Sequence, residues 1–177
     1  MNINRLRRYE LVLAIYPNKS GFAFVLFEGS LSPVDWGVTA VRGRDRNDRC
    51  LQIIANMFAR HEPDVLVLQD TSSTGTRRSR RVTNLNAAIF KLAELNHIPV
   101  RTYSRALVRL AFSYLGSASK HAIAETIAKH IPVFERYVPP PRMPWMTEDA
   151  RMGLFDAAAL VLTFFQNAAG GEGNPPK

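Results

Sequence analysis

Four arginines in five residues, Arg77, Arg78, Arg80 and Arg81, make the densest charge in the chain. They follow a ringless polar stretch, Thr71 to Gly75, that contains only Thr, Ser and Gly. Arginine forks with small hydroxyl residues suit contact to phosphate oxygens without base readout. The same run also fits a solvated, charged loop. Acids are the second group that could do chemistry. Asp149, Gly153 and Asp156 fall at i, i+4 and i+7, which is one face of a helix. Asp149 would sit one turn, about 6 Å, from Gly153 along that axis. Asp149 in a first helical turn also serves the helix dipole, and Asp70 is a natural turn former. His61, His97, His121 and His130 show no metal-ligand spacing, and one cysteine, Cys50, excludes a zinc ribbon. Gly170-Gly171-Glu172-Gly173 precedes no helix and so cannot act as a phosphate loop.

The whole chain is cationic. It has 177 residues, a net charge of +8, and 23 Lys plus Arg, of which 18 are Arg. Arginine binds phosphate by a planar fork, and a net positive chain attracts polyanions. The 46% hydrophobic content excludes disorder for most of the chain and suits one domain with a core. The most apolar run, Ala157 to Phe165, is short of the roughly 20 residues of a membrane span. Arg5, Arg7 and Arg8 read as a basic arm at residues 1–10 rather than a signal peptide. A single cysteine fits a reducing, cytoplasmic setting.

Strands and helices must position these groups. Leu11–Ile15, Phe22–Glu28 and Val34–Arg42 read as strands joined by the turns at 17–21 and 29–30, an antiparallel meander. Arg49–Arg60 is an amphipathic helix with Leu51, Ile54, Met57 and Phe58 on one face. Val65–Leu68 is a strand buried on both faces. Thr71–Arg81 reads as a loop, Asn84–Asn96 as a helix and Ile98–Tyr103 as a fifth strand. Ser104 caps a short helix through Phe112, and Ser117 or Ser119 caps another to His130. Tyr137 to Pro144 is a stiff linker, and Thr147 opens a last helix to about Asn167. Trp36 and Trp145 read as core or edge packing, with Trp145 closing over the site as the other option. The domain thus covers 11–167 as β-β-β-α-β-α-β-α-α-α, with a disordered tail at 168–177.

This order and four segments resemble the RuvC-like Holliday-junction resolvases of the RNase H-like superfamily. Leu13 to Asn18 with Gly21-Phe22-Ala23 sits where that family has a strand ending in Asp-Pro-Gly. Pro63 to Asp70 sits where it has Pro-Asp, a hydrophobic strand and Glu-Gln. Val108 to Ala111, Gly116, Ala118 and Lys120 fit its basic, Gly-containing stretch ending in Lys. Asp156 to Leu160 fits its last helix, in which an Asp stands three residues before an Asp-Ala run. The resemblance implies an α/β fold: a mixed five-stranded sheet, three strands as an antiparallel meander plus two parallel strands, flanked by helices. It also implies a homodimer, DNA as partner, no membrane, and two Mg²⁺ held by four acids for phosphodiester hydrolysis.

Three of those four acids are replaced, by Tyr16, Gln69 and Gly153, and only Asp156 matches. Lys120 matches the family's basic residue near the scissile phosphate, Arg109 matches a second basic position eleven residues earlier, and the loop carrying Arg77, Arg78, Arg80 and Arg81 matches one that faces DNA. The leading expectation is therefore a protein that binds branched or structured DNA with catalysis impaired or lost. A second is an active Mg²⁺-dependent endonuclease in which Asp70 and Asp149 join Asp156 as relocated acids. A third is an interaction module on the same fold that does not use nucleic acid.

Overall fold

The structure, a computed structural model, describes residues 11–72, 78–114, 116 and 119–170. Arg77, Ser117, the basic arm and residues 171–177 lie outside the described residues. Ten regular elements follow the expected order. They are β1 Leu11–Pro17, β2 Gly21–Glu28, β3 Pro33–Ala40, α1 Arg46–His61 and β4 Val65–Gln69. Then come α2 Arg80–Leu95, β5 Val100–Tyr103, α3 Arg105–Ser113, α4 Lys120–His130 and α5 Met152–Gly170. A 3₁₀ turn, Pro132–Tyr137, follows α4.

The strands form one sheet in the order β3-β2-β1-β4-β5. β1–β2 and β2–β3 are antiparallel, while β1–β4 and β4–β5 are parallel. The meander needs only tight turns. In the first, the Asn18 Oδ1 accepts the Ser20 and Gly21 N–H groups, each at 2.9 Å. The parallel pairs need crossovers, which α1 and α2 supply.

Side-chain alternation divides the core. Leu13, Ile15, Leu66 and Leu68 pack under α1 and α2 with Ile54, Leu85 and Ile89. Val12, Ala14, Val65 and Val67 pack on the other face with α4 and α5. The Phe134 ring joins Phe27, Trp36 and Phe155, which pins the 3₁₀ turn to this second layer. Both layers are apolar because the central strands are buried on two faces.

α5 is long and apolar enough, by length and composition, to cross a bilayer. In this fold its surface is spent on β1 and β2 on one side and on α3 and α4 on the other.

Several boundaries differ from the expectation. The last helix begins at Met152, not Thr147. The Asp149 Oδ1 accepts the Arg151 N–H at 2.9 Å, and the Asp149 carbonyl accepts from Met152. This turn captures the acid that would have entered the helix. Glu148 and Asp149 therefore precede α5 and do not share its face with Asp156. α2 begins at Arg80, capped by Ser79, because a run of arginines does not break a helix. Trp145 does not pack in the core or at a strand edge. It is 78% exposed.

Candidate functional site

Period-two alternation decides what meets at the ends of the central strands. On β1, Tyr16 is in phase with Val12 and Ala14, and it packs in the α5 layer. On β4, Gln69 is in phase with Val65 and Val67 and is buried. The parallel register sets Ala14 opposite Val67. Two residues on, Tyr16 and Gln69 end neighbouring strands on the same face. α5 brings Gly153 and Asp156 to that place. A Cβ on Gly153 would lie 3.1 Å from the Ala23 Cβ, 3.3 Å from the Asn18 Nδ2 and 3.9 Å from the Tyr16 Cδ1. The missing side chain at 153 therefore makes room chiefly for Ala23 and Asn18, with the Tyr16 ring at ordinary contact distance.

Cations fill the rest of the site. The Lys120 Nζ donates to the Asp156 Oδ2 at 3.0 Å and to the Glu148 Oε1 at 2.9 Å. The Arg78 guanidinium donates to the Gln69 Oε1 and, at 3.3 Å, to the Pro17 carbonyl. It also lies 4.6 Å from the Tyr16 ring centroid, and the Lys120 Nζ lies 5.7 Å from it. Both distances are within cation–π reach.

Burial pushes the Asp156 carboxyl above its ordinary value, and the Lys120 ammonium pulls it back in part. Burial acts on Lys120 in the opposite sense. The Asp156 charge, Tyr16 and Glu148 outweigh it and hold the ammonium above the ordinary lysine range. Burial, then Asp156, keeps the Tyr16 phenol protonated above its ordinary value.

A cleft opens beside this cluster. Tyr16, Gln69 and Asp156 line it together with Arg105, Arg109 and Lys120. Arg105 and Arg109 are exposed and have no hydrogen bond or ion pair among the described residues. Three helices start with cations and without an acid in the first turn: α2 with Arg80 and Arg81, α3 with Arg105, α4 with Lys120. A cation there opposes the helix dipole at about 0.3–1 kcal/mol each. Helix N-termini bearing added positive charge are anion seats.

The donor set does not fit two divalent metal ions. Mg²⁺ takes near-octahedral oxygen ligands, chiefly carboxylates and water. Asp156 and Glu148 both hold the Lys120 ammonium, Gln69 holds Arg78, and Tyr16 is a neutral phenol. No group of three or more His, Cys, Asp or Glu gathers among the described residues.

The remaining expected residues are dispersed. Asp70 turns back on Ser72, accepting its N–H at 2.9 Å and its hydroxyl at 2.6 Å, and these bonds hold its carboxyl below the ordinary value. Asp149 is held by Arg151, at 2.6 and 3.0 Å, and its carboxyl is likewise lowered. Arg81 is in α2 and ties the β1–β2 turn, donating to the Asn18 and Lys19 carbonyls at 2.6 and 2.9 Å. Arg80 is exposed. Sequence reasoning missed Glu148 as a partner of Lys120 and Arg105 as a wall of the cleft. The i, i+4 spacing of Arg105 and Arg109 carried a signal for the second. No local pattern carried one for the first.

No protein-family model and no curated protein matches the chain. Solved structures do match it. Thermus thermophilus RuvC in complex with Holliday junction substrate superposes with a TM-score of 0.69 at 19% identity, covering 95% of this chain and 100% of that one. A second Thermus thermophilus RuvC structure gives 0.67 at 19% identity over 94% and 99%. The yeast mitochondrial Holliday junction resolvase Ydc2 gives 0.58 at 11% identity over 89% and 78%. The fold is therefore RNase H-like, of the RuvC type.

Proposed function

We propose that this chain binds branched or otherwise structured DNA through the cationic cleft and does not hydrolyse it. One observation carries the reading. Tyr16, Gln69 and Asp156 line one cleft, Gly153 lies beside Tyr16, and Asp156 is paired with Lys120, which supports the reading that the four acids implied by the resemblance are not assembled here. The neighbour bound to a Holliday junction supports junction DNA as the preferred partner.

The chain's own residues supply the binding. Arg105 and Arg109 offer phosphate guanidiniums that have no partner among the described residues, and Arg105 and Lys120, which open α3 and α4, both line the cleft. Arg78 and Lys120 cannot swing freely, because Gln69, Pro17, Glu148 and Asp156 hold them. A held cation loses less freedom on binding than a loose one. None of these groups reads base edges, so shape and phosphate spacing set the preference. The relocated-acid nuclease has little to work with, because Asp70 and Asp149 are turned to Ser72 and Arg151. A second copy of the chain is part of the proposal, with the exposed Phe90 and Leu95 of α2 as contacts.

Fluorescence anisotropy in EDTA, with a labelled four-way junction, duplex and single strand, tests this. The junction is expected to bind tightest, with affinity falling by a log–log slope of about −0.9 per phosphate contacted as salt rises. No binding to any of the three at low salt would refute it.

A further inference from the structure

We infer that Lys120 is a built-in counter-ion: its ammonium fills a cation seat between Glu148 and Asp156, and removing it opens that seat to a divalent metal ion such as Mn²⁺. The inference deepens the reading of the cleft as a metal-free site and rests on the same geometry, but its test uses no DNA.

Two carboxylates reach one point from different segments. Glu148 comes from the stretch before α5 and Asp156 from the second turn of α5. Each places an oxygen within 3.0 Å of the Lys120 Nζ, so the two oxygens are at most about 6 Å apart. Asp156 is 16% and Lys120 26% exposed, so water screens that pair weakly, while Glu148, 44% exposed, closes the solvent side of the seat. Two like charges so placed are relieved either by a cation between them or by a proton on one of them, and here the Lys120 ammonium supplies the cation.

Helix energetics do not explain why that cation is Lys120. It is the first residue of α4, where the dipole opposes positive charge. Its ammonium is nevertheless held from two sides, with the face of the Tyr16 ring 5.7 Å away. The aromatic face at position 16 favours a cation too. Arg78, over the same ring and on Gln69, adds a second resident positive charge. An ammonium and a divalent ion cannot occupy one seat. With Lys120 present the seat is closed. Without it, two carboxylate oxygens and the space left by the ammonium remain, a donor set that suits Mn²⁺.

The test is thermal unfolding of the full chain in metal-free buffer with added MnCl₂. Wild type and Lys120→Arg are expected to show no change in Tm. Lys120→Met keeps the packed stem and loses the charge. It is expected to melt lower than wild type and to recover by about 5 °C or more at Mn²⁺ well above its Kd. Lys120→Met/Asp156→Asn is expected to lose that recovery. Glu148→Gln retains the ammonium and is expected to ignore Mn²⁺. Should Lys120→Met fold only in part, its folded fraction by circular dichroism is expected to rise with Mn²⁺. Stabilisation of wild type by Mn²⁺ would overturn the inference. Equal Mn²⁺ responses from Lys120→Met and Lys120→Met/Asp156→Asn, including no response from either, would overturn it too. Loss of DNA binding by wild type would leave these results untouched.

Discussion

Arg81 and Arg80 are neighbours in one basic run, yet the structure gives them different work. The Arg81 Nη2 donates to the Asn18 and Lys19 carbonyls at 2.6 and 2.9 Å, and its Nη1 to the Asn47 Oδ1 at 2.9 Å. Asn47 returns a bond to the Arg81 carbonyl at 3.2 Å. This clamp joins α1, α2 and the β1–β2 turn that follows Tyr16. Arg81→Ala removes three charge-assisted bonds, worth about 1.5–3 kcal/mol each when fully buried. Arg81 is half-buried, and water replaces much of what is lost, so the net cost is about 2 kcal/mol. For a chain of this size that lowers Tm by about 4–8 °C. Arg80 is exposed and opposes the α2 dipole, so Arg80→Ala is expected to leave Tm unchanged or slightly raised and to flatten the salt dependence of DNA binding. Scanning calorimetry and anisotropy titrations on both variants separate the roles. Equal stability of the two variants would refute the clamp, and the whole basic run would then be a DNA-facing surface.

Gly21→Ala is expected to cost about 3 kcal/mol, because the new Cβ would lie 2.1 Å from the Thr39 carbonyl oxygen across the β2–β3 pair; urea titration reads this as a lower midpoint with the same slope. Stability is expected to fall as pH rises above about 10. Lys120 and Tyr16 both hold their protons more tightly when folded, so the native state binds more protons there than the unfolded chain. Melting curves from pH 8 to 11 check the sign, and Lys120→Met is expected to weaken the dependence. Sedimentation at micromolar concentration is expected to show a dimer, and Leu95→Glu in α2 to shift it towards monomer.

The strand ends were legible because period-two alternation is strict. Val12, Ala14 and Tyr16 on one strand, and Val65, Val67 and Gln69 on another, share a face whatever the loops do. The parallel strands came with the resemblance, and the link from β1 to β4, long enough to carry a helix, is consistent with that pairing. The start of α5 was not legible, because Thr147-Glu148-Asp149 has the composition of a cap and first turn. Only the fold shows that Asp149 spends its carboxylate on Arg151. Glu148 was hidden for the same reason: its partner Lys120 is 28 residues away. The basic run read as a loop because charge density masked Ser79 as a helix cap. Its four arginines looked alike because sequence does not show acceptors, and carbonyls at Asn18 and Lys19 decide which one is a clamp.

The most direct test of the account is a denaturing gel of a labelled four-way junction incubated with the unmodified protein in Mg²⁺ and in Mn²⁺. The account predicts intact strands in both metals at protein concentrations that fully shift the junction on a native gel, with the same shift in EDTA. Metal-dependent strand cleavage that Asp156→Asn abolishes would contradict it.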